Sequence, residues 1–203
     1  DRLMTTVNEY LAEGADRIGP LNQVTPTRLV KALICPHAGY IFSGSIAGSA
    51  YAALAGHGAS IRRVVIIGPA HHEAVHGLAA SSADIFDTPL GQVAVDSSVG
   101  ALSDADLVHF ADTAHEDEHA IEVHLPFLLQ TLDGPFSIVP LLFGQCRVEQ
   151  VELVLRHFWH DAETLFIISS DLSHFHSHAE ARRLDRQASV AIETLDAEGL
   201  TEG

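Results

Sequence analysis

Val64-Val65-Ile66-Ile67, running directly into Gly68-Pro69-Ala70-His71-His72, is the most informative stretch of the chain. Four β-branched residues in a row leave no polar face, so they read as a strand buried on both sides. The strand stops at Gly-Pro, and two imidazoles follow at its carboxyl end. The same arrangement recurs on either side. Residues 29–35 form a short, mostly apolar run that leads into Pro36-His37-Ala38-Gly39-Tyr40. Residues 165–168 lead into Ser169-Ser170-Asp171-Leu172-Ser173-His174. Residues 137–143 make a further strand candidate.

Helical patterns separate these strands. Leu3, Met4, Val7, Tyr10 and Leu11 repeat at helical spacing, and Gly14 is expected to end that helix. Residues 45–54 are small and helical, residues 148–158 are helical, and residues 179–195 form a last helix. Residues 118–132 carry a helical period but contain Pro126, so a kink or break is expected there. Asp87-Thr88-Pro89-Leu90-Gly91 marks a turn between extended segments within 84–95. Strands alternating with helices predict an α/β domain: a mainly parallel or mixed central sheet with helices on both faces. No repeat or linker divides the chain, which predicts one domain over residues 1–203.

Composition narrows the function classes. Eleven Lys and Arg stand against 27 Asp and Glu, for a formal charge of −16. That balance argues against nucleic acid or anionic lipid as a partner. The apolar runs are too short to span a bilayer, and no secretory pattern opens the chain. Cys35 and Cys146 make no disulfide framework, so a cytoplasmic location is expected. Oligomeric state is not readable. Histidine is the outlier, at 14 of 203 residues.

Ligands of open α/β sheets bind beyond the carboxyl ends of the strands. Parallel strands would therefore deliver His37, His71 or His72, and Asp171 with His174 to one crevice. Neutral imidazole is a common ligand for iron, zinc and copper. Two histidines and a carboxylate could hold Fe(II) with positions open for substrate and O₂. The same ligands on zinc would activate water for hydrolysis. The sequence leaves both open. His115-Glu116-Asp117-Glu118-His119 fits the H-E-x-x-H zinc pattern. The stretch is acidic throughout, however, and reads better as a helix N-terminus. In that case His119 and Glu122 share a helix face at i, i+3 and could reach the crevice.

The stretches Pro36–Tyr40, Gly68–His72, Glu116–Pro126 and Ser169–His174 resemble, in the same order, the motifs of the Memo-like family, also known as protein B of the AmmeMemoRadiSam system. The resemblance runs from about Leu29 to the end. It implies a fold like that of the class III extradiol dioxygenases, which open catechol rings with non-haem Fe(II). It implies His37 and His71 as metal ligands with Asp171, and His119 or His174 as the proton-transfer group. His72 and Glu122 would line the pocket. The implied cofactor is a divalent metal, Fe(II) first, with copper or zinc as alternatives. The implied role is redox or partner-linked, with a small molecule or peptide in the pocket. The alternatives are an active ring-opening dioxygenase and a metal-free binding module. Family members run on to a later Cys-Gly segment that supplies a third ligand and begin with a Gly-aromatic motif, so the chain reads as trimmed at both ends.

Several residues read more plainly. His176 and His178 are expected to be solvated ahead of the last helix, and Trp159 to be a packing anchor. Cys35 reads as a structural buried thiol. Ser43 or Gly44 is expected to cap a helix and could bind a small anion. No Gly-x-Ser-x-Gly elbow surrounds Ser169 and Ser170, which argues against a serine hydrolase.

Overall fold

A computed structural model describes residues 2–19 and 30–200. The chain divides into two compact units, residues 1–170 and 171–203. The first holds an eight-stranded mixed sheet, mostly parallel, with helices packed on it.

Four parallel strands form its centre. In spatial order they are β1 (Ala32–Cys35), β8 (Thr164–Ser169), β2 (Arg63–Pro69) and β7 (Ser137–Phe143). Beyond β7 lie β3 (Leu78–Ala80), antiparallel to it, and β6 (His109–Phe110). The turn expected within 84–95 is a hairpin of β4 (Ile85–Thr88) and β5 (Gly91–Val95), and β5 also pairs with β7.

Alternate side chains along each central strand feed two separate cores. Val64 and Ile66 pack toward α1 (Arg2–Ile18), α2 (Tyr40–Ala52), α5 (His119–Glu122) and α6 (Leu125–Thr131). Val65 and Ile67 pack toward α3 (Ser98–Asp104) and α7 (Val148–Phe158). All four are at most 2% exposed. At about 1.5–3 kcal/mol per buried aliphatic side chain, an upper estimate, this tetrapeptide alone contributes roughly 6–12 kcal/mol.

Some expectations need correction. Gly14 does not end α1, which continues to Ile18. It is buried where α1 crosses α2, and a methyl there would enter the backbone of Gly48. Close helix approach, not termination, is its role. The second helix begins at Tyr40 with Gly39 as its N-cap, so Ser43 and Gly44 lie inside the first turns. The Ser43 hydroxyl donates back to the Ala38 carbonyl at 2.6 Å and has no capping part. The first strand begins at Ala32; Leu29 lies outside the described residues. Pro126 does divide the helical region, because its ring is tolerated only in the first turn of α6.

At the strands' amino ends, Arg63 Nε donates to Asp96 Oδ2 at 3.0 Å, and Ser137 Oγ donates to the same oxygen at 2.6 Å. Burial pushes the Asp96 carboxyl up, but hydrogen bonds from Ser137, Ser98 and Arg63 outweigh it and hold the group at about 2. A free aspartate titrates near 3.9. Because the folded value is depressed, Asp96 stabilises the fold fully above about pH 4. That contribution disappears as the pH falls toward 2. Acid titrations followed by circular dichroism should show Asp96→Asn flattening the stability profile in that window; an unchanged profile would contradict the assignment.

The second unit contains α8 (His178–Thr194), capped by the Ser177 hydroxyl, which accepts from the Glu180 amide at 3.3 Å. The helix ends at Leu195 in the left-handed region (φ 56°). His176 and His178 are exposed, and Trp159, in the first unit, packs its ring 5.7 Å from Phe166. No helix among the described residues is long and apolar enough to cross a membrane.

Candidate metal centre

The topology explains why distant histidines meet. Strand β8 lies between β1 and β2, with Cys35 in register with Ser169. His37 follows β1 by two residues and His71 follows β2 by two, so they flank the Ser169 end of β8. His119 comes from above, as the first residue of α5.

That third element sits low because Gly68 has no side chain. A Cβ there would lie 2.9 Å from Ala120 Cβ and 3.3 Å from Ser169 Cβ. Gly68→Ala should therefore lift the start of α5, lowering stability by about 1–3 kcal/mol through overpacking and weakening metal binding with it. Urea unfolding and metal titration of the same variant would check both; wild-type values in both would refute the packing argument.

The ligand-capable atoms of His37, His71 and His119 lie within 4.8 Å of one another. Their ring centroids are 5.2 Å apart for His37 and His71, 5.7 Å for His37 and His119, and 4.7 Å for His71 and His119. Burial is graded: His37 is buried, His119 intermediate and His71 exposed.

Glu118 organises two of the three. It is 5% exposed and accepts from the His71 amide at 2.6 Å, His71 Nδ1 at 2.8 Å and the Ala120 amide at 2.9 Å. The same carboxylate lies 3.3 Å from His119 Nδ1. Burial pushes the Glu118 carboxyl up, yet the His71 amide and ring and the Ala120 amide together hold it below the ordinary glutamate value. An ionised carboxylate only accepts, so His71 carries its proton on Nδ1 and its lone pair on Nε2. Such carboxylate–histidine pairs orient metal ligands and raise their basicity.

Behind His37, its Nδ1 lies 2.7 Å from Ser169 Oγ. Ser169 also meets His124, which in turn meets Tyr51. Cys35 is a buried free thiol, pushed up to about 12 by burial, with a hydrogen bond to Tyr51. It is protonated and structural, as expected.

The remaining expected site residues fall as follows. His72 is exposed, with its ring 6.5 Å from His119. Glu122 is exposed and lines a groove with Tyr40, Thr88 and Pro126, which none of the three clustered histidines lines. Asp171 and His174 belong to the second unit, where His174 Nε2 is 3.9 Å from Asp171 Oδ2. The H-E-x-x-H reading is not realised. His115 lies on α4 (Asp112–Glu116) and His119 on α5, with the helical path broken at Asp117. His115 turns away, its Nε2 3.3 Å from the Ala79 carbonyl. Glu118 and His124 were not expected as site residues, and Ser169 was considered only as a nucleophile and set aside. The signal for Glu118 was its place as N-cap directly before a histidine.

Fold and site together define an α/β protein with a histidine cluster at the carboxyl edge of a mostly parallel sheet. The chain belongs to the Memo-like family: it matches the family described as "Memo-like protein" over residues 5–203. It is 33% identical over 208 residues to human Protein MEMO1, covering 95% of this chain and 69% of that protein. The Protein memo-1 homolog of Caenorhabditis elegans is 32% identical, covering 95% of this chain and 53% of that one. A MEMO1 family protein of Saccharolobus solfataricus is 33% identical, over 83% of this chain and 62% of its own length. The chain therefore spans between about half and two thirds of these relatives.

Proposed function

We propose that the chain holds a divalent transition metal on His37, His71 and His119, in a redox or partner-linked role. The observation that carries this reading is the convergence of three imidazoles within 4.8 Å, delivered by three separate elements. The donor set fits the group. Three nitrogens each about 2.1 Å from a common ion lie roughly 3.0–3.6 Å from one another, so the rings, now within 4.8 Å, would close by up to about 1–2 Å around it. All-nitrogen sets suit iron, copper and zinc. Fe(II) is our first choice, from the resemblance to the extradiol dioxygenases, with copper or zinc as alternatives. His119, expected as a proton-transfer group, becomes the third donor in this reading.

When bound, the metal would supply Lewis acidity and, for iron or copper, one-electron chemistry. The chain's part is to hold the three rings, with Glu118 fixing His71, and to leave the His71 side open for a small molecule or peptide. For Asp171 and His174, the roles of carboxylate ligand and proton-transfer group rest on the motif resemblance, and Asp171→Asn and His174→Gln test them. Cys35 and Cys146 are both free, which accords with a reducing cytoplasm.

Elemental analysis of the purified chain should find about one metal per protein, lost in a variant lacking all three histidines. Anaerobic Fe(II) loading followed by O₂ and a panel of catechols separates the activities. New visible absorbance from ring-opened product would mark an active dioxygenase. No stoichiometric metal, with ligand binding indifferent to chelator, would overturn the reading in favour of a metal-free module.

A further inference from the structure

We infer that Ser169, His124 and Tyr51 form a chain of hydrogen bonds that assigns every proton along it, and so holds His37 in the tautomer a metal ligand requires. The inference rests on the metal reading above.

Ser169 Oγ has three polar neighbours. They are the Ala120 carbonyl oxygen at 2.8 Å, His37 Nδ1 at 2.7 Å and His124 Nε2 at 2.9 Å. A hydroxyl has one proton and two lone pairs. The carbonyl can only accept, so it takes the proton. Both ring nitrogens must then donate into the serine oxygen.

His37 therefore carries its proton on Nδ1 and its lone pair on Nε2. His124, protonated on Nε2, must accept at Nδ1, where the Tyr51 hydroxyl donates from 3.0 Å. No hydrogen can be moved in this series without setting two lone pairs or two donors against each other.

Burial enforces the assignment. Tyr51 is 0% exposed, His124 1%, and His37 and Ser169 2% each. Water is kept from offering alternative partners, and a mispaired group in such surroundings is heavily disfavoured. These are positioning residues: none needs to touch metal or substrate. The design parallels Glu118 behind His71, but with a neutral hydroxyl in place of a carboxylate. Two of the three donors are thus set by two different devices.

The test begins with the metal-free chain and reads tautomers directly, from ¹⁵N shifts of the histidine side chains in long-range ¹H–¹⁵N spectra. Wild type should show His37 protonated on Nδ1 and His124 on Nε2. Ser169→Ala should release His37 into a mixture and weaken Fe(II) or Zn(II) binding by about 10–100-fold. His124→Gln is the conservative variant, since its amide nitrogen can donate to Ser169 and its oxygen can accept from Tyr51. It should keep the His37 tautomer and near-normal affinity, whereas His124→Leu should lose both. Thermal melts establish that each variant is folded. If Ser169→Ala unfolds, the wild-type spectrum and the contrast between His124→Gln and His124→Leu still decide.

A wild-type His37 protonated on Nε2 overturns the inference, and so does finding the same tautomer and the same affinity in His124→Gln and His124→Leu. A chain that binds no metal but shows the assigned tautomers would sink the metal reading and leave the proton assignment standing.

Discussion

Glu118→Ala should be among the most damaging single substitutions in the chain, lowering stability by about 3–5 kcal/mol and metal affinity by about 10–100-fold. Glu118 is 5% exposed and satisfies three donors, the His71 amide, His71 Nδ1 and the Ala120 amide. Each donor stripped of its acceptor in a desolvated place costs about 1–3 kcal/mol. Water reaching the exposed His71 offsets part of that loss, so the total falls below the sum of the three. The same carboxylate also caps α5, the helix that carries His119. Glu118→Gln keeps one acceptor oxygen but turns an amide NH₂ toward a donor, so it should fall between wild type and alanine. Urea unfolding and calorimetric metal titration, run on both variants, separate the structural part from the ligand-orienting part. Affinity that survives alanine would show that Glu118 does not orient His71.

Loss of a histidine should be more severe for binding and milder for the fold. Sharing a metal-site energy of about 10 kcal/mol among its ligands gives roughly 3 kcal/mol each, or a fall of about a hundredfold for His37→Ala, His71→Ala or His119→Ala. The stability cost should differ among them. His37 is 2% exposed and leaves Ser169 facing a void, whereas the His71 ring is replaced by solvent. Metal at a hundred times its dissociation constant stabilises a protein by about 2.7 kcal/mol. The wild-type melting temperature should therefore rise on adding Fe(II) or Zn(II), and that rise should shrink sharply in each variant. Equal shifts in wild type and all three variants would place the metal elsewhere.

The strands that build the sheet were readable because burial on both faces writes itself as unbroken aliphatic runs. Residues 137–143 and 148–158 match the observed β7 and α7 at both ends. Short elements whose shape comes from their neighbours left no such trace. β3 is three residues of Leu-Ala-Ala, and β6 is two exposed residues whose strand partner among the described residues is β3. Gly14 and Gly39 show the limit of local rules: glycine suits a helix end, a cap and a close crossing equally, and only the partner helix selects among them. For the site, His37 and His71 were visible because each directly follows a strand. His119 was singled out for proton transfer, since nothing in the sequence reveals that Gly68 lets α5 sink toward the strand ends. Glu118, Ser169 and His124 act through hydrogen-bond partners far away in the chain, and pairing at such separations is invisible to periodicity.

The order of the strands has a consequence for how the protein is made. Among the described residues, β1 pairs only with β8, which is synthesised about 130 residues later. Until Ser169 has left the ribosome and docked, nothing in the sheet anchors His37 beside His71. A nascent chain can thus expose both imidazoles without offering them as a chelate, and on the proposed metal reading capture of an ion would wait on closure of the last gap in the sheet.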